Sequence, residues 1–506
     1  VTDIAYDRFI VRLKEVKTLS AVASLLSWDQ ETYMPPKGAE ARAEQLALIS
    51  GLAHKKFVSD EMGALLGELA GPAASGGLDP ERAANVREAK RLFDRERKLS
   101  TELVEEIAKT QSLAHEAWIL ARKRSDFAHF APWLEKNIAL QKKVAELVGY
   151  EKEPYDALLD VYEPGARVGE IAPLFESLRE KLVPLVARIA KSGRRAPKLE
   201  GRFSQEKQRE FAVAVARDMG FDFDAGRLDV SAHPFCSGLH PLDVRMTTRY
   251  DESDFRGALF GVMHEAGHGL YEQGLLPRHA GTPMGEAAST AIHESQSRMW
   301  ENFVGRSRPF WRHYYPKLQE AFPEPLSRIS FEDFYFGINE VEPSLIRVEA
   351  DEVTYNLHIL LRFEIEQGLF SGRIAVSDLP SIWNRKMEEY LGIVPPDDAR
   401  GVLQDTHWSC GLFGYFPTYT LGNLYAAQFY AQARKEIPDL EEAIGRGELR
   451  SLRDWLRDRI HKRGMLFRPQ ELCREVTGKA LDPSHFFEYL EQKFGEIYGL
   501  STPEGA

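Results

Sequence analysis

Apolar residues recur at spacings of three and four along most of this chain, and that recurrence restricts its fold more than any other property of the sequence. Leu13, Val16, Leu19, Ala23 and Leu26 form one series and Leu103, Ile107, Leu113, Ala117 and Leu120 another, each laying its side chains on one face of an α-helix. Asp79 before Pro80 supplies an N-cap and a first helical position, and Ser100-Thr101-Glu102 reads as a second start. The charged segment 81–125 is thus expected to form two helices, in an up-down pair. One region breaks the pattern. Between Leu228 and Tyr250, after Gly238 and Pro241, residues alternate from Asp243 to Tyr250, which predicts a small antiparallel sheet. Its edge, just upstream of the strongest chemical motif, is expected to line the same cleft, where a peptide can add as a strand.

The breaks at 71–80, 192–202 and 395–401 are short and rich in Gly, Pro and Ser or Asp, so they read as loops inside one body. No internal repeat or low-complexity tract occurs. We therefore take 1–506 as a single catalytic domain. Apolar residues make up 43% and charged residues 28%, the balance of a globular protein that dissolves. The formal net charge of -12 argues against nucleic acid or anionic lipid as partner. Of the basic clusters at Lys90 to Lys98, Arg188 to Lys198 and Arg453 to Arg463, the first and last are interrupted by acids, as on solvated helix faces. The three cysteines, Cys236, Cys410 and Cys473, form neither a CxxC pair nor a disulfide framework, and no stretch reaches the length of a membrane span. A cytoplasmic protein is expected; its opening on Val1 rather than Met is compatible with a trimmed start.

Residues 264–268 read His-Glu-Ala-Gly-His inside the helical stretch Phe255 to Gln273. Positions i and i+4 of a helix point the same way, so His264 and His268 converge on one ion while Glu265 faces its water-bearing side. Gly267 and Gly269 disfavour an ordinary helix by roughly 1 kcal/mol each, so they are best explained where backbone or metal must come close. A catalytic zinc takes three protein ligands and keeps one position open. The next helical stretch, Glu286 to Trp300 with Ala288, Ile292, Met299 and Phe303 on its apolar stripe, offers Glu286, His293 and Glu294. It can fold back antiparallel on the first. Zincins with a glutamate third ligand carry it roughly twenty to thirty residues past the second histidine, which favours Glu294 over Glu286, with His293 as the rival. Glu265 is placed to take a proton from the attacking water and return it to the leaving amine.

Further motifs accompany this one: His233-Pro234-Phe235, Asp243-Val244-Arg245-Met246-Thr247, His293-Glu294-Ser295-Gln296, Ile346-Arg347-Val348-Glu349-Ala350-Asp351 and Gly401-Val402-Leu403-Gln404-Asp405-Thr406-His407-Trp408. With Trp28-Asp29, Met34-Pro35 and the closing run from His461 to Gly478, they make the chain resemble, over nearly its whole length, the carboxypeptidase Taq family of thermostable-type metallocarboxypeptidases. The resemblance implies release of single residues from peptide carboxyl termini with broad specificity. It also implies one zinc or cobalt ion per chain, a mainly helical, two-lobed, zincin-like body with a deep cleft, and a homodimer. An oligopeptidase with the same metal site is the alternative.

Recognition of a free carboxylate calls for a planar guanidinium. By resemblance Arg347 fills that role; from its neighbours alone it reads as a partner of Glu349 or Asp351, and Arg245 and Arg298 compete with it. The resemblance points to Tyr419 as the active-site tyrosine, with Tyr415 as the alternative. His233 and His407 are expected to hydrogen-bond substrate, and His293 to bond substrate or scaffold. Asp243, Asp351 and Asp405 read as orienting neighbours, and Cys236 and Cys410 as core packing.

Overall fold

The computed structural model describes residues 2–500, so Val1, on which the trimmed start was read, and residues 501–506 lie outside the described residues. Helices follow the apolar stripes, and the mainly helical class expected is the one found. The chain divides into two compact units, each assembled from three separated segments. One comprises Val1–Arg97, Lys198–Ile338 and Tyr425–Leu481, and the other Lys98–Pro197, Asn339–Leu424 and Asp482–Ala506. The 192–202 segment, read as a loop within one body, carries the chain from one unit to the other.

Both helix starts fall where the caps place them. The Asp79 side chain accepts from Arg82 N at 3.1 Å at the head of Pro80–Glu96, and Ser100 Oγ accepts from Leu103 N at 3.2 Å at the head of Thr101–Arg124. The expected up-down pair is corrected: Pro80–Glu96 packs on Asp60–Ala74 in the first unit, and Thr101–Arg124 on Phe127–Val148 in the second. Caps fix where a helix begins, while its partner is chosen by the apolar residues the two helices bury together, here Leu65, Leu66 and Leu69 with Ala89 and Phe93.

In the first unit β1 (Gly226–Val230), β2 (Cys236–His240) and β3 (Asp243–Thr248) form a sheet of order β1-β3-β2. β2 and β3 are antiparallel, but β1 runs parallel to β3, with Leu228 opposite Met246. The expectation of a purely antiparallel sheet is thereby corrected to a mixed one. Alternation along β3 defines its two faces and says nothing of the direction of the strand on its far edge. Val244 and Met246, fully buried, seat the sheet on the helix Phe255–Gly274.

The second unit is built around Thr354–Ser371, a helix buried on nearly every side, its polar side chains Asn356, His358, Arg362 and Glu366 included. Tyr155, Phe175 and Phe370 crowd against it or lie within its length, with ring centroids 5.0–6.0 Å apart. Among the described residues, no helix is long and apolar enough to cross a membrane.

Candidate functional site

The helix Phe255–Gly274 and the helix Thr290–Arg298 run antiparallel, because contacts that advance along one recede along the other: His264 meets Glu301, His268 meets His293, and Tyr271 Oη accepts from Ala288 N. Gly267 sets their separation. A Cβ there would lie 2.6 Å from the Ser297 Cα and 2.7 Å from the Gln296 carbonyl oxygen, so only glycine lets the two backbones approach this closely. The second helix begins at Thr290, capped by the Ser289 side chain on Ile292 N, rather than at Glu286. Glu286 precedes it and pairs with Lys17 at 2.7 Å, which removes it from the ligand candidates.

This packing brings single donor atoms of His264, His268 and Glu294 within 4.8 Å of one another. Nε2 of His268 lies 3.3 Å and Nε2 of His264 3.6 Å from Glu294 Oε2. The carboxylate is held in place by Arg298 Nε on Oε1 at 2.7 Å and by Ser297 Oγ on Oε2 at 2.9 Å. Arg298 also reaches Glu301, whose Oε2 lies 2.8 Å from His264 Nδ1. Glu301 was missed in the sequence, although it stands seven residues past Glu294 with Arg298 between them, all on one helical face. It lies in a π-helical turn, Met299–Val304, a distortion common at functional sites.

The charges here suit a dication. Burial, the largest influence on His264, lowers its pKa, yet Glu294, Glu301 and Glu265 together lift it to about 9. The cluster thus gathers a proton where a positive ion would otherwise sit. Two imidazoles and a carboxylate are also the donor set of a catalytic zinc. His268 is pushed the other way, to about 3, by burial and by His293. Glu265, 6% exposed, is raised to about 7 by burial, with Glu294 and Glu301 adding and His264 opposing.

His293 has both ring nitrogens engaged, Nδ1 with His268 Nδ1 at 2.5 Å and Nε2 with Glu272 Oε1 at 2.8 Å. Of the two roles expected for it, substrate or scaffold, both of these bonds are to the scaffold. His233 is exposed, in the loop between β1 and β2. Of the competing arginines, Arg245 is held by Asp243 and lies over the Trp28 ring at 4.4 Å, and Arg298 is tied to Glu294 and Glu301.

The other motif residues gather in the second unit. Arg347, 5% exposed, donates from Nε and Nη2 to Asp405 Oδ1 at 3.1 and 2.8 Å and from Nη1 to Tyr355 Oη at 3.1 Å. These bonds leave one N–H on each terminal nitrogen. Its partner is Asp405, rather than Glu349 or Asp351; Asp351 instead accepts from Val353 N, Thr354 N and Thr354 Oγ1. Arg362, fully buried, donates from Nε to Asp405 Oδ2 at 2.7 Å. Burial works to raise the Asp405 pKa, and the two guanidiniums outweigh it and hold it well below the ordinary range. His407, lowered to about 3 chiefly by burial, approaches Tyr419 Oη at 3.3 Å through Nε2, while its buried Nδ1 has no partner among the described residues. Tyr415 lies beside them, its ring 5.4 Å from that of Tyr419.

Comparison with known proteins gives a consistent result. Residues 8–494 match the family described as carboxypeptidase Taq (M32) metallopeptidase. Thermostable carboxypeptidase 1 of Thermus thermophilus is 46% identical over 98% of this chain and 99% of its own length. Carboxypeptidase 1 of Bacillus subtilis is 41% identical over 97% and 98%. A crystal structure of the M32 carboxypeptidase from Deinococcus radiodurans superposes with a TM-score of 0.95 at 39% identity, covering 98% of this chain and all of that one.

Proposed function

Since this chain belongs to the carboxypeptidase Taq (M32) metallopeptidase family and is a metallocarboxypeptidase, we propose that His264, His268 and Glu294 hold its metal ion and that Glu265 is the general base. The observation that carries this reading is the convergence of two imidazole nitrogens and one carboxylate oxygen within 4.8 Å. When bound, the ion supplies Lewis acidity, polarising a carbonyl and making water a stronger acid. Glu265, near 7 by burial, suits a group that must accept a proton and then give it up. It takes the proton of the attacking water and returns it to the leaving amine. Tyr419 serves as a hydrogen-bond donor to the oxyanion that develops at the scissile carbonyl, and His233 hydrogen-bonds the substrate.

Arg347 binds the free carboxylate of the peptide through the two N–H groups that Asp405 and Tyr355 leave unused, and His407 supports that contact. The oligopeptidase reading is not favoured, since the relatives are carboxypeptidases. We take the ion as zinc, with cobalt able to replace it, one per chain. We take the enzyme as a cytoplasmic homodimer of broad specificity, and 1–506 as one catalytic domain.

The test is a mass-spectrometric time course on one peptide in free-acid and carboxyl-amidated forms, with and without a chelator. Stepwise loss from the carboxyl end of the free acid alone, abolished by the chelator, is expected. Ladders from the amidated form, or activity that survives complete metal removal, would overturn the reading.

A further inference from the structure

The two histidines of the metal cluster are supported differently behind their ligand nitrogens. His264 meets a carboxylate directly, Nδ1 on Glu301. His268 meets another imidazole, with its Nδ1 2.5 Å from His293 Nδ1, and His293 Nε2 lies 2.8 Å from Glu272 Oε1. Two nitrogens share a hydrogen bond only when one carries the proton and the other a lone pair. His268 turns Nε2 toward Glu294, and an imidazole that offers Nε2 as a ligand keeps its proton on Nδ1. That proton goes to His293 Nδ1, so His293 must be the Nε2–H tautomer. An Nε2–H needs an acceptor, and Glu272 Oε1 is in place to be one. The tautomers of both imidazoles are thus fixed in one series that ends on Glu272.

Other parts of the first unit are shaped around this series. Glu272 stands one turn past His268 on the same helical face. Gly238 in β2 makes room for it: a Cβ there would come 2.3 Å from Glu272 Oε2. The His268 ring meets the His293 ring edge to edge, with centroids 4.5 Å apart, and the Tyr271 ring packs against that of His293 at 5.2 Å. Tyr271 rests in turn on His461 at 4.7 Å, whose Nε2 lies 2.8 Å from Gln296 Oε1. Bonded at both ring nitrogens and packed against Tyr271, His293 has little freedom to rotate out of line.

We propose that Glu272 is a positioning residue of the metal centre, acting through His293 to lock the tautomer and ring orientation of His268 and so to set how tightly the ion is held. The inference rests on the ligand set proposed above. A carboxylate behind a ligating imidazole fixes its orientation and raises its basicity, and loss of such a partner weakens metal binding roughly 10–100-fold.

Zinc affinity of the full chain, measured by competition with a chromogenic chelator, tests this in wild type, Glu272→Ala, Glu272→Gln, Gly238→Ala and His268→Ala. Glu272→Ala is expected to bind roughly 10–100-fold more weakly. Glu272→Gln, which keeps an acceptor oxygen without the charge, should fall between it and wild type. Gly238→Ala should weaken binding too, by displacing Glu272. A purely structural role would leave the visible absorption bands of the cobalt-loaded protein unmoved; positioning of His268 shifts them. Should Glu272→Ala not fold, the isosteric Gln variant and Gly238→Ala carry the decision. Zinc affinity of both Glu272 variants within about twofold of wild type overturns the proposal. His268→Ala separates the two levels: if it keeps full zinc affinity, the ligand set itself fails, and if it loses zinc while the Glu272 variants keep it, only the role of Glu272 fails.

Discussion

Around His264 buried carboxylates outnumber the fixed cations, whereas around Arg347 the reverse holds. In the first unit Glu265, Glu294 and Glu301 face Arg298 and, at 3.9 Å, Arg306. In the second, Arg347 and Arg362 share the one carboxylate of Asp405. Burying unbalanced charge is unfavourable by several kcal/mol, so each imbalance makes sense as half of a complex. The first lacks a cation, which a metal supplies. The second lacks an anion, which the terminal carboxylate of a peptide supplies.

The largest effect should come from the negative cluster. Glu265→Gln is expected to lower kcat about 1,000-fold with metal content by atomic absorption unchanged; wild-type turnover would break that half of the comparison. On the positive side, Arg347→Ala should lower kcat/KM for free-acid peptides roughly 100-fold, the equivalent of about 3 kcal/mol for a charge-assisted pair, and leave metal content intact. Equal loss on free-acid and amidated peptides would show that the excess of guanidinium serves something other than the terminal carboxylate.

The His264 pKa is raised from 6.5 to about 9 in the folded, metal-free protein. Its contribution to stability is therefore complete below pH 6.5 and lost as pH rises through 9. Urea unfolding of chelator-treated protein should show a decline of roughly 2–3 kcal/mol across that window. The metal-loaded protein should lack it, because the ion occupies the place of the proton. The smallest effect is expected from Glu301→Gln, which keeps a hydrogen-bond acceptor for His264 and should weaken zinc binding about tenfold in equilibrium dialysis.

Much of the negative cluster was legible because its parts lie on two neighbouring helices. The i, i+4 histidines are a local pattern, and the unusual glycine in HEAGH announced a close approach that Gly267 makes with Ser297. Glu301 and Glu272 were equally readable, seven residues past Glu294 and four past His268, had helical faces been followed beyond the motifs. The positive cluster was different. Arg347 and Asp405 are 58 residues apart, and nothing local to either shows that they meet; reading Arg347 from its neighbours gave Glu349 and Asp351 instead. No local pattern marked the parallel β1–β3 contact or showed that Pro80–Glu96 pairs with the helix before it rather than the one after. Helix caps, whose physics is confined to three or four residues, were read correctly at Asp79 and Ser100.

The threading of the chain bears on how the enzyme is made. His461, whose ring fills the space left by the missing side chain of Gly274 and supports Tyr271, is supplied by a segment that joins the first unit only at Tyr425–Leu481. During synthesis the HEAGH helix leaves the ribosome long before that segment does. A nascent chain must wait with the platform beneath His293 unbuilt, exposing apolar surface that invites aggregation or a chaperone.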